Sequence, residues 1–188
     1  MLTLDRRALL YLLGATSVTP FLAWPEEITR KPVVVKPGEN RFTYANVQQA
    51  HLSPCKLTSA DSGGALSIFE LNVVPHGGPV RHVHHREDEW CYVISGEFIF
   101  EIGSDKYTLP IGGSIWMPRD IPHVWANNSA VDGKLLVACQ PGGFEKFFDD
   151  LGKIPVTEAS EERIKQLMAK YGMEYLGPPL FGLWRQQH

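Results

Sequence analysis

From about Ile28 to Cys139 the chain is cut by turn signals every few residues, and this punctuation limits its fold more than any other feature. Ser62-Gly63-Gly64, Pro75-His76-Gly77-Gly78, Ser95-Gly96, Gly103-Ser104-Asp105, Ile111-Gly112-Gly113 and Asn127-Asn128-Ser129 leave no room for a long helix between them. The apolar runs that remain have strand length. They predict strands over Val33–Val35, Ala65–Val74, Val80–His84, Glu89–Ile94, Glu97–Ile102, Lys106–Leu109, Ser114–Met117, His123–Asn127 and Lys134–Cys139. In one of them Phe98, Phe100 and Ile102 share a face at period two, as a half-buried strand requires. Strands at this density predict an antiparallel sandwich or barrel in an all-β domain. At 188 residues the chain suits one domain with a proper core.

The period changes after the last strand. Phe144, Phe147, Phe148 and Leu151 are spaced as one helix face, with Gly152 as a stop, and Ile164, Leu167, Met168 and Tyr171 repeat that spacing before Gly172. Glu158, Glu161 and Glu162 near the start of the second helix and Lys165 and Lys170 later suit its dipole. Two amphipathic helices are expected here, either capping the barrel or reaching into a dimer contact.

Two clusters carry chemistry. His82 and His84 are two apart, so a strand points both to one side. Glu89 lies five further on, which one uninterrupted strand would turn the other way. The polar stretch His85-Arg86-Glu87-Asp88 predicts a hairpin that returns Glu89 to the same interior. His123 opens a later strand after a proline-bounded loop and joins the other three if the strands close on themselves. Three imidazoles and a carboxylate, with no thiolate, suit one divalent iron, manganese, nickel, cobalt, copper or zinc ion better than calcium. His85, on the opposite strand face, is expected in solvent, and His76 in its glycine-rich loop is expected to be structural.

These clusters resemble the two motifs of the cupin superfamily. The first, G-x5-H-x-H-x4-E-x6-G, is met by His82, His84, Glu89 and Gly96, with His76 in place of the first glycine. The second, G-x5-P-x-G-x2-H-x3-N, is met by Gly112, Pro118, His123 and Asn127, with Asp120 in place of the inner glycine. The resemblance implies a double-stranded β-helix, or jelly-roll, barrel over 26–142, a helical extension over 143–188, and the quartet as metal ligands. It also implies a tendency to homodimerise.

The strings HHREDEWCYVISGEF, PGGFEKFF and YGMEYLGPPL look like bacterial single-domain cupins of the quercetin 2,3-dioxygenase type. That likeness implies a dioxygenase acting on a flavonol or other aromatic enol, with the substrate held at the metal and its ring opened by dioxygen. Glu89 would then be general base as well as ligand, which asks its apolar surroundings to raise its proton affinity. Phe98, Phe100 and Trp125 would either line the lumen or serve as core packing. The same ligands equally serve a cupin oxidase, isomerase or decarboxylase of a small acid, and a non-catalytic cupin would keep the pocket without turnover.

Arg6-Arg7 ahead of the interrupted apolar stretch from Ala8 to about Trp24 resembles a Tat export signal, so residues 1–25 are expected to direct the chain to the periplasm. A packed N-terminal helix on a cytoplasmic protein is the alternative. The apolar stretch is too broken by Gly14, Thr16, Ser17 and Pro20 for a stable membrane span. A net charge of −3, with no basic stripe, argues against a nucleic-acid partner. Cys55, Cys91 and Cys139 form no CxxC pair and are expected as small buried hydrophobes.

Overall fold

A computed structural model describes residues 31–41, 54–155 and 160–182. The export segment expected over 1–25 lies outside the described residues. In chain order the elements are β1 Cys55–Leu57, α1 Ser59–Ser62, β2 Ser67–Val73, β3 Arg81–His84, β4 Asp88–Ser95, β5 Phe98–Ile102 and β6 Asp105–Leu109. Then come β7 Ser114–Met117, β8 His123–Asn127, β9 Gly133–Gln140, α2 Glu145–Gly152, α3 Glu161–Lys170 and β10 Met173–Gly177.

Among the described residues all the strand pairs are antiparallel, and they form two five-stranded sheets ordered β1-β2-β9-β4-β7 and β10-β3-β8-β5-β6. Together they make an all-β jelly roll. Alternation decides what each strand buries: Phe69, Leu71 and Val73 of β2, Cys91 and Val93 of β4, and Leu135, Val137 and Cys139 of β9 point inward. From the other sheet Phe98, Phe100 and Trp125 join the same core. All three cysteines are buried and unpaired.

The two expected helices are present and close on the domain's own core. Ile164 and Met168 of α3 belong to it, while Phe147, Phe148 and Leu151 of α2 pack against it. Ser160 caps α3 by accepting from the Arg163 amide. Helix α2 is anchored at its start by Glu145, a buried carboxylate that accepts from the Ser59 amide (3.1 Å) and from the hydroxyls of Ser59 (2.6 Å) and Ser67 (2.5 Å). No helix among the described residues is long and apolar enough to cross a membrane.

Three readings of the sequence need correction. Val33–Val35 is not a strand; Val34 is 82% exposed and pairs with no sheet, so its β-branched character finds no surface to pack on. The tail is not only helical: after α3 the chain returns as β10, pairing with β3 through Met173–His84 and Tyr175–His82. Finally, residues 85–87 are not a hairpin. Strands β3 and β4 lie in different sheets, so this segment crosses from one sheet to the other.

Candidate metal centre

That crossover is what brings the quartet together. His82 and His84 leave β3 on one side, and His123 of β8 is the cross-strand partner of His82. Glu89 sits on β4 in the opposing sheet, between Met117 of β7 and Cys139 of β9, so it faces the three histidines across the interior. One sheet supplies three imidazoles and the other supplies the carboxylate. All four side chains are buried, and their candidate ligand atoms lie within 4.8 Å of one another.

The hydrogen bonds on the outer ring nitrogens fix which atoms face inward. His82 Nδ1 is 2.7 Å from the Val80 carbonyl, His123 Nδ1 is 3.0 Å from the Ile121 carbonyl, and His84 Nδ1 is 3.4 Å from Glu87 Oε2. Each acceptor requires the proton on Nδ1, which leaves a lone pair on each Nε2. Those lone pairs converge: His82 Nε2 and His84 Nε2 are 3.1 Å apart. Glu89 Oε2 is 3.5 Å from both His84 Nε2 and His123 Nε2. His123 Nε2 is buried with no hydrogen-bond partner. Buried acceptors aimed at one another are costly unless a cation sits among them. The residues present therefore fit a divalent transition ion, and among the described residues this is the one such His, Cys, Asp or Glu cluster.

Electrostatics agree with a ligand set. Burial pushes His82 well below its ordinary value, and the neighbouring His123 and His84 push it the same way, so it stays neutral as a ligand must. For Glu89 burial is the largest influence and pushes upward. The facing rings of His123, His84 and His82 outweigh it, lowering the group to about 2. The apolar wall therefore does not raise this carboxylate's proton affinity overall, because its nearest neighbours are imidazoles rather than hydrocarbon.

The four glycine positions of the two motifs share one backbone feature. Gly96 and Gly112 have φ of 85°, and the two residues standing where the motifs have glycine, His76 and Asp120, have φ of 61° and 63°. Left-handed backbone is where glycine is cheap and where aspartate and histidine are among the better-tolerated substitutes. Asp120 is also tied to the site: its amide donates to the His84 carbonyl (2.7 Å), and its side chain meets His85 Nδ1 (2.6 Å). His85 itself is exposed, as the strand alternation predicts, and the bond to Asp120 raises its pKa. His76 meets Phe181 with the two rings tilted and their centroids 4.6 Å apart. Asn127 does not touch the quartet; its amide donates to the carbonyls of Val73 (2.9 Å) and Val131 (2.8 Å) and accepts from the Ser129 amide (2.9 Å).

Three contacts of the site escaped the sequence reading. Cys91 Sγ donates to Glu89 Oε1 at 3.5 Å; its position two residues along β4 was the available signal. Phe144 lies against His84 with ring centroids 5.0 Å apart, a contact that no local pattern announces. Glu87 reaches back to His84 from the crossover. Phe98, Phe100 and Trp125 pack on one another, with centroids 6.1–6.4 Å apart, and belong to the core.

Residues 69–139 match the model of the cupin domain. The chain is 26% identical over 106 residues to protein SchB of Streptomyces halstedii, covering 56% of this chain and 75% of that protein. Among solved structures, a conserved protein with a double-stranded β-helix domain from Klebsiella pneumoniae is 16% identical, with a TM-score of 0.46 over 60% of this chain and 92% of that one. A sugar phosphate isomerase of the cupin superfamily from Silicibacter pomeroyi is also 16% identical, with a TM-score of 0.45 over 57% and 75% of the two chains.

Proposed function

We propose that this chain, whose residues 69–139 match the cupin domain, is a metal-dependent cupin dioxygenase acting on a flavonol-like or other aromatic enol. The observation that supports the metal-dependent part is the convergence of three Nε2 lone pairs and Glu89 Oε2, with each Nδ1 occupied by its own acceptor. A divalent transition ion held by His82, His84, Glu89 and His123 supplies Lewis acidity towards an anionic substrate oxygen.

The chain's own residues supply the rest. The three histidines stay neutral and fixed in orientation by their outer hydrogen bonds. The aromatic and aliphatic wall around them, including Phe144, excludes water. Glu89 is first a ligand, through Oε2. As a base it would take the enol proton on Oε1, the oxygen turned towards Cys91, and its low pKa of about 2 asks for an acidic enol.

That low value also favours a second reading, in which Glu89 is a ligand only. The site then serves an oxidase, isomerase or decarboxylase of a small acid, or holds a small molecule without turnover. Export through residues 1–25 and pairing into a homodimer belong to the same proposal. The outer face of the sheet bearing β4 and β7 leaves Tyr92, Ile94 and Trp116 exposed for such pairing.

Oxygen-electrode assays of protein loaded with each candidate ion, with a flavonol as substrate, test the main reading. Metal-dependent oxygen uptake that is lost in Glu89→Gln is expected. No uptake with any of the ions would overturn the dioxygenase reading, and unchanged uptake in Glu89→Gln would remove the base.

A further inference from the structure

The three histidines are not held alike. His82 and His123 give their Nδ1 protons to backbone carbonyls, of Val80 and Ile121, and those acceptors are neutral. His84 alone is backed by a side-chain carboxylate, Glu87 Oε2 at 3.4 Å, and Glu87 is itself buried. A carboxylate behind a ligating imidazole fixes its tautomer and raises its basicity more than a carbonyl does.

The crossover that carries Glu87 is fastened on both sides. The His85 amide donates to the Gly172 carbonyl (2.8 Å), and the Asp120 amide donates to the His84 carbonyl (2.7 Å). Asp88 takes a forked contact from Arg119, with Oδ1 accepting from Nε (3.1 Å) and from the backbone amide (2.9 Å), and Oδ2 from Nη2 (2.8 Å). Neighbours on both sides of Glu87 are thus pinned to the two loops that frame the site. Its aim at His84 follows from the fold rather than from a mobile surface side chain.

Resting on the metal reading above, we propose that Glu87 is a positioning residue of the metal centre: its buried carboxylate holds the tautomer and orientation of His84 and places a negative charge behind that ligand. With a divalent ion and ionised Glu89, a second buried carboxylate brings the cluster close to neutrality. The site then holds its ion more tightly than the four ligands alone would.

The test uses full-length protein, the metal ion alone as probe, and Glu87→Gln, which keeps the shape and removes the charge. Calorimetric titration with Zn²⁺ and Co²⁺ is expected to show affinity falling about 10- to 100-fold, with the metal-free melting temperature little changed. In proton NMR of the Zn²⁺ form, Glu87→Gln is expected to move the His84 Nδ1–H resonance while those of His82 and His123 stay. Glu87→Asp, which keeps the charge and draws it back from the ring, is a second variant, expected to bind the ion less tightly than wild type and no more weakly than Glu87→Gln. Affinity of both variants within twofold of wild type, or a His84 resonance that Glu87→Gln leaves in place, overturns the assignment. A wild-type protein that takes up neither ion overturns the metal reading itself, and this inference with it.

Discussion

Acid should destabilise the metal-free protein, and His82 should be the first cause. Its ring is buried, 3.1 Å from His84 Nε2 and 4.5 Å centroid to centroid from His123, so a proton on it is disfavoured by burial first and then by its neighbours. In the unfolded chain the same ring takes up its proton at about pH 6.5. The folded value is depressed, so this contribution to stability is present in full above pH 6.5 and is lost as pH falls below it. One proton bound by the unfolded state alone costs about 1.4 kcal/mol per pH unit, or about 2 kcal/mol between pH 7.5 and 5.0. Glu89 does not contribute in this window. Its value of about 2 is also depressed, so its share is present above the ordinary carboxylate range and is lost only as pH falls from there towards 2. His85, raised by Asp120, acts with the opposite sign, but it is half exposed and screened. Urea unfolding of chelator-treated protein at several pH values, wild type against His82→Gln, isolates the effect. The wild-type free energy should fall by about 2 kcal/mol over this range and that of the variant clearly less. Parallel profiles would refute the argument that a neutral, buried His82 governs the slope.

Two further perturbations test the frame around the site. Because Asp120 sits at φ 63°, Asp120→Gly should be more stable than Asp120→Ala by about 1 kcal/mol, and the reverse order in thermal melts would contradict the backbone argument. Asn127→Ala leaves two carbonyls and one amide in the fold's interior without their partner; a loss of about 2–4 kcal/mol is expected by urea unfolding, and a loss below about 0.5 kcal/mol would show that water replaces the amide.

The strands and the pair His82 and His84 were legible because both depend on local periodicity, whereas Glu89 and His123 were legible chiefly through the resemblance of their motifs. His82 and His84 share a face by strand alternation, and Ser114–Met117 and His123–Asn127 end where their turn residues stand. What escaped depends on distant partners. Nothing around Met173–Gly177 says that it will pair with β3, and nothing around Phe144 says that it will meet His84. The polar stretch before Glu89 read equally well as a hairpin, because a hairpin and a crossing between sheets deliver the same side chain to the same interior. The expected rise in Glu89's proton affinity failed for a related reason. Burial could be guessed from the apolar run, whereas the balance against three imidazoles required their positions.

Whether His82, His84, Glu89 and His123 together hold one metal ion is answered by the metal content of dialysed protein after exposure to each of the six candidate divalent ions, wild type beside His123→Ala. One ion per wild-type chain for at least one metal, and a large loss of bound metal in the variant, are expected. Wild-type protein that retains none of the six, or a variant that retains as much as wild type, would refute the shared site.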